Sequence, residues 1–229
     1  MTSGDDFATA WRTGHGLDPH GGGRVVTGWL RLVGTLARPL ARTGVPPSAV
    51  TLAGLALAVL ALVPALAGRA SHSSWLLLVP VLVALSALAD GLDGAVAIMT
   101  GTASRRGALL DAGCDRVAEA AFGAVLWALG APVTLAVAAV GTSWLLEYLR
   151  ERAHVIASAG SAGSADAPGV ILTVAERPMR VAITAMFSLG VALWPTAAGA
   201  WAATGAASWA VLGAASLVQF LARSGRLPA

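Results

Sequence analysis

Residues 74–116 read SWLLLVPVLVALSALADGLDGAVAIMTGTASRRGALLDAGCDR, and they decide how the rest of the chain is read. A bilayer core takes about 20 apolar residues per helix, and the run 74–98 meets that length while carrying Asp90 and Asp93 toward its end. After a short link, 99–106, a second stretch at 107–129 opens with Asp111 and Asp115. Residues three or four apart on a helix share a face, so each stretch presents two carboxylates on one side. At 1.5 Å per residue, Asp93 lies about 7 Å and Asp90 about 12 Å from the helix end near Ile98. Counted from Gly107, Asp111 lies about 6 Å and Asp115 about 12 Å in. The short link makes the two helices antiparallel neighbours. Four carboxylates at matching depths are therefore expected to converge in one cleft just below a membrane surface.

The flanking sequence extends the same pattern. The chain has 229 residues, 56% of them apolar and 12% charged, where a soluble domain carries about 25% charged residues. Nothing charged lies between Arg42 and Arg69, between Glu119 and Glu147, or between Arg180 and Arg223. Spans are predicted near 47–68, 74–98, 107–129, 132–153, 179–194 and 197–221, the last two separated at Pro195. Ahead of them, residues 28–42 set Leu30, Leu32, Val33 and Leu36 against Arg31, Arg38 and Arg42, the pattern of an amphipathic helix lying on the membrane. The expected fold is an all-α integral membrane protein: six transmembrane helices preceded by an amphipathic surface helix. Residues 1–27 read as a disordered cytoplasmic tail, 28–222 as one membrane domain and 223–229 as a second cytoplasmic tail. The Gly/Ser/Ala-rich stretch 157–169 reads as a flexible loop. No apolar signal-peptide core precedes Trp29. The single Cys114 excludes an internal disulfide.

The fifteen basic residues are all Arg, dispersed at helix ends rather than gathered in a stripe, which argues against a nucleic-acid partner. With six spans, thirteen of them fall on one side; Arg69 falls on the other and Arg116 lies within the third span. The positive-inside rule places both termini, the 99–106 link and the aspartate cleft at the cytoplasmic face of a multi-pass protein in the cell membrane.

Buried acids in a bilayer cost about 2.5–3.5 kcal/mol each on insertion scales and repel one another, so such a cluster needs water and cations. Hard oxygen ligands without His or Cys point to Mg²⁺, Mn²⁺ or Ca²⁺. Two such ions about 4 Å apart are suited to clamping a diphosphate for phosphoryl transfer. Two other readings stand beside this one: solvated aspartates near helix ends, or a cation carrier. A carrier is expected to place its acids near the midplane in broken helices, whereas these lie toward one end of continuous ones. Gly94, Ala97 and Gly107 either keep the cleft open for a ligand or serve close helix packing.

The run Asp90-x2-Asp93-Gly94-x2-Ala97, followed by Gly107-x3-Asp111-x3-Asp115, resembles the signature of the CDP-alcohol phosphatidyltransferases. The resemblance implies a phosphatidyltransferase domain over 28–222. It would move a phosphatidyl group from a CDP-linked lipid, CDP-diacylglycerol, to a polar alcohol, release CMP and so serve phospholipid biosynthesis. It implies Asp90, Asp93, Asp111 and Asp115 as ligands of two divalent ions, Mg²⁺ or Mn²⁺, with Asp115 also the catalytic base. It places Gly94, Ala97, Gly107 and Thr51 at the CDP moiety and implies a homodimer in membrane lipid. Within the family the chain is similar to actinobacterial phosphatidylinositol phosphate synthases, through Asp111-Ala112-x-Cys114-Asp115-Arg116, Arg150-x-Arg152-Ala153 and Glu176-Arg177-Pro178-x-Arg180. That likeness implies Arg150 and Arg180 as holders of an acceptor phosphate, a role the planar guanidinium suits. Three departures accompany it: Ile98 where an arginine is usual, Phe220 near the place of a third phosphate-binding arginine, and Ser48 for the usual Asn or Asp. Inositol phosphate is the acceptor implied by overall likeness, and glycerol phosphate or another polar alcohol gains from Phe220.

Overall fold

A computed structural model describes Thr9 and residues 24–71, 74–160 and 173–224, and every regular element among them is helical. The order is α1 (Arg24–Arg42), α2 (Pro47–Leu60), α3 (Leu62–Ser71), a 3₁₀ turn (Ser74–Leu77), α4 (Leu78–Thr100), α5 (Arg105–Ala128), α6 (Val133–Gly160), α7 (Arg177–Leu193), a second 3₁₀ turn (Pro195–Ala197) and α8 (Ala198–Ser224). Among the described residues, three stretches are long and apolar enough to cross a membrane: Pro47–Gly68, Ser74–Thr100 and Pro195–Ser224. Most of the expected tails at 1–27 and 223–229 and most of the expected loop at 157–169 lie outside the described residues, while residues 24–27 belong to α1 and residues 223–224 to α8. α6 itself continues to Gly160, past the end expected at residue 153.

Proline explains where helices break. The first expected span is two helices that meet at Ala61, because Pro64 has no N–H to give to the Leu60 carbonyl. Pro64 and Pro80 each sit in the first turn of their helix, where that N–H has no intrahelical acceptor anyway. Pro195 stops α7 as expected, and the Trp194 N–H bonds back to the Gly190 carbonyl at 2.9 Å.

The chain divides into two compact units, Met1–Val59 with Ala84–Ala118, and Leu60–Val83 with Glu119–Ala229. In the first unit, α1 starts at Arg24, four residues ahead of the predicted amphipathic helix. Its apolar residues serve two faces. Leu30, Val33 and Ala37 are buried with Ala95 and Val96 of α4, while Trp29, Leu32 and Leu36 stay exposed. α1 approaches α4 closely at Gly91, where a Cβ would stand 3.2 Å from Val33 and 3.3 Å from Trp29. On α2, Gly54 plays the same part: its carbonyl accepts the Ser86 hydroxyl at 2.8 Å, and a Cβ there would lie 3.1 Å from Ala89. Both contacts bracket the acid-bearing part of α4.

The turn from α4 to α5 is set by its own residues. Gly101 has φ +67; the Thr102 N–H reaches the Ala97 carbonyl at 3.1 Å and the Gly101 N–H reaches Ile98 at 3.3 Å, a Schellman ending. Ser104 then caps α5, its Oγ accepting the Gly107 N–H at 3.1 Å. Four residues thus reverse the chain between two pairs of aspartates.

In the second unit, α6 and α7 both pack on α8. Small residues let the backbones close: Gly213 lies against Thr142 and Gly205 against Phe187. Trp209 is fully buried and donates its indole N–H to Ser143 at 2.8 Å. The segment leading into α7 is tied to α8 by Ala175 N–H to Ser216 Oγ, 2.8 Å, and Val174 N–H to Gln219 Oε1, 3.2 Å.

Candidate active site

Asp90, Asp111 and Asp115, all partly buried, each offer an oxygen such that the three atoms lie within 4.8 Å of one another. The antiparallel turn at 101–104 produces this, because it sets the last turns of α4 beside the first turns of α5. At that spacing two unit charges repel by about 3.5 kcal/mol at an effective dielectric of 20. Three carboxylates held so close form a site that wants a cation. The donor set is all oxygen, which selects a hard divalent ion.

Asp93 takes a different position from the other three. It is buried, and its Oδ2 accepts the Thr51 hydroxyl of α2 at 2.5 Å, while that hydroxyl lies 3.1 Å from the Pro47 carbonyl. Its charge still interacts with those of Asp90 and Asp111, so it borders the cluster. Thr51, expected at the CDP moiety, is 8% exposed and engaged with this carboxylate.

Gly94 and Gly107 are exposed and Ala97 is half-buried. A Cβ at Gly94 would meet nothing within 4 Å among the described residues; at Gly107 it would meet Ser104 Oγ at 3.2 Å.

The second unit holds the two arginines, and neither stands alone. Arg150 on α6 makes a bidentate pair with Glu176, NH2 to Oε1 at 2.5 Å and NH1 to Oε2 at 3.0 Å, and NH2 also donates to Thr173 Oγ1 at 2.9 Å. Its NH1 lies 3.4 Å from Glu147 Oε1. Arg180 on α7 is 1% exposed; NH1 donates to Glu119 at 2.5 Å and NH2 to Glu147 Oε1 at 2.8 Å. Glu176 is steadied further by the Thr173 N–H at 2.7 Å and hydroxyl at 3.1 Å. Burial pushes the Glu176 carboxyl up, but the Arg150 guanidinium and the Thr173 donors outweigh it and hold the group below its ordinary value. Phe220 is buried, 4% exposed.

Sequence reasoning did not anticipate the three glutamates. Glu119 gave the available signal: an acid inside an apolar helix needs a partner, and Arg180 is one of few cations placed to supply it.

Residues 45–219 match the family model described as CDP-alcohol phosphatidyltransferase. The phosphatidylinositol phosphate synthase of Mycobacterium marinum is 36% identical over 152 residues, 63% of this chain and 62% of that protein, so the chain spans about six tenths of the length of this relative. The crystal structure of Mycobacterium tuberculosis phosphatidylinositol phosphate synthase (PgsA1) with CDP-DAG bound superposes with a TM-score of 0.62 at 29% identity, covering 86% of this chain and 96% of that one. The same enzyme in complex with manganese and citrate gives 0.63 at 28% identity, covering 86% and 90%.

Proposed function

Because the chain belongs to the CDP-alcohol phosphatidyltransferase family, we propose that it transfers the phosphatidyl group of CDP-diacylglycerol to the hydroxyl of a polar alcohol and releases CMP, a step of phospholipid biosynthesis. The observation that carries this reading is the gathering of Asp90, Asp111 and Asp115 on facing helices, with Asp93 beside them. Asp90, Asp93, Asp111 and Asp115 would hold two divalent ions, Mg²⁺ or Mn²⁺, which when bound would supply positive charge for the diphosphate and for departing CMP. The Thr51 hydroxyl fixes the orientation of Asp93. Asp115 accepts the proton of the acceptor hydroxyl as its oxygen bonds to the β-phosphorus; the bond from that phosphorus to the bridging oxygen breaks, and CMP takes the electron pair. Gly94, Ala97 and Gly107 leave room for the CDP moiety to approach the backbone. Arg150 and Arg180 are the basic residues assigned to the polar end of the acceptor, on the strength of family likeness.

The same reading gives a homodimer with six spans behind the surface helix α1, its termini and active site on the cytoplasmic side. In that setting, the exposed apolar residues of α2 and α4, among them Leu52, Val59, Val81 and Leu85, face lipid.

The test is CMP release by the purified chain from CDP-diacylglycerol with Mn²⁺ and a panel of alcohols. Turnover is expected with at least one alcohol, and Asp115→Asn is expected to lose it by at least a thousandfold while melting as a folded protein. Wild-type turnover in Asp115→Asn overturns the assignment of the base. Ion flux through proteoliposomes lacking CDP-lipid, with no CMP release, establishes a carrier instead.

A further inference from the structure

Glu147 places its carboxylate between two arginines. Oε1 alone receives both, Arg180 NH2 at 2.8 Å and Arg150 NH1 at 3.4 Å. An anion held between two guanidiniums is what a phosphate monoester would be in the same place, and here the protein supplies it from within. We propose that Glu147 sets the acceptor class of the enzyme: its carboxylate stands in for an acceptor phosphate at the Arg150–Arg180 pair, so the alcohol accepted carries hydroxyls and no phosphate. The inference rests on the phosphatidyltransferase reading and deepens it.

Three observations support it. The first is charge: the guanidiniums of Arg150 and Arg180 are already met by the carboxylates of Glu119, Glu147 and Glu176. A phosphate monoester brings about 1.5 to 2 more negative charges at pH 7 and is repelled by such a group. The second is the fixed state of the cations. Arg150 is committed to Glu176 through both terminal nitrogens, and Glu176 is itself anchored by Thr173; Arg180 and Glu119 are each 1% exposed. Releasing Arg180 leaves the Glu119 charge behind in a buried place. The third is what the group offers instead. The Glu147 side chain is 28% exposed, and both of its bonds fall on Oε1, so Oε2 remains as an acceptor. An ionised carboxylate only accepts hydrogen bonds, which matches the hydroxyls of an uncharged polyol. Phe220, where a further arginine is expected, adds no cation to reverse the balance.

The experiment pairs each alcohol with its phosphate ester, inositol with inositol phosphate and glycerol with glycerol 3-phosphate, in wild type and Glu147→Gln. CMP release and thermal unfolding in detergent are both read. Wild type is expected to favour the uncharged member by at least tenfold in kcat/KM, with no stabilisation by the phosphate ester. In Glu147→Gln the preference shifts toward the ester by at least tenfold, carried by its KM, and the ester raises the melting temperature. Preference of the wild type for the ester, or an unchanged ratio in both readouts, overturns the proposal. If no alcohol of either kind supports CMP release by wild type, the enzymatic reading itself fails. The unfolding arm still decides the role of Glu147: stabilisation of Glu147→Gln but not of wild type by the ester supports it, and equal response refutes it.

Discussion

Thr51 shows how one hydroxyl bears on the whole site. Its bond to Asp93 crosses from α2 to α4 and is short, 2.5 Å, with both residues buried. Partners that orient a metal-binding side chain typically matter by ten- to a hundredfold in metal affinity or activity. Thr51→Val keeps the shape and removes the donor, so the Mn²⁺ concentration for half-maximal CMP release should rise by about tenfold, while Thr51→Ser stays near wild type. Glu176 gives a second expectation at this scale, in pH. Its folded value lies below the ordinary 4.5, so its contribution to stability is in place above 4.5 and is lost only as pH falls through the lower, folded value. The melting temperature lost in Glu176→Gln should therefore be the same at pH 8 and pH 5.5 and shrink below pH 4.5. Of these residue-level facts the sequence displayed the aspartates and their spacing, because i, i+3 and i+4 positions share a face. The Thr51–Asp93 bond joins residues 42 apart in sequence, and spacing within one helix is silent about that.

Among the helices, the close approach of α1 to α4 depends on Gly91 lying under Val33 and Trp29. A branched side chain there crowds Val33 and Trp29 beside Asp90. Gly91→Val is expected to cost about 1–3 kcal/mol of stability and to lower CMP release, whereas Gly113→Ala, whose Cβ meets nothing within 4 Å, should melt at or above the wild-type temperature, since alanine favours a helix interior over glycine by about 1 kcal/mol. Differential unfolding of the two variants checks this. The amphipathic pattern of 28–42 announced a helix but not its division of labour, since Leu30 and Val33 turn inward while Leu32 and Leu36 do not. Hydropathy alone treats the four as equals. The break at Ala61 was readable in principle from Pro64, yet an unbroken apolar run concealed it.

Taken as a molecule, the chain owes its charged interior to two devices: carboxylates gathered for a cation in the first unit, and arginines compensated by glutamates in the second. Only the first unit should answer to metal. Mn²⁺ at about a hundred times its Kd stabilises the folded state by about 2.7 kcal/mol, so EDTA is expected to lower the melting temperature, excess Mn²⁺ to restore it, and Asp111→Asn to abolish the response. A melting temperature indifferent to chelation would count against the site. All-helical architecture and the acid pairs were legible because long uncharged runs and helical spacing are local properties. The glutamate partners of Arg150 and Arg180 were not: their contacts span 26 to 61 residues, apart from the neighbouring Glu147–Arg150 pair.

The reversal at 101–104 has a handedness that chemistry can exploit. Gly101 sits at φ +67, a region where an L-side chain costs about 1–2 kcal/mol and its mirror image fits without strain. A chain assembled by ligation with D-alanine at this position should therefore hold the hairpin more firmly than the natural one, because it removes glycine's freedom in the unfolded state. L-alanine at the same place should loosen it.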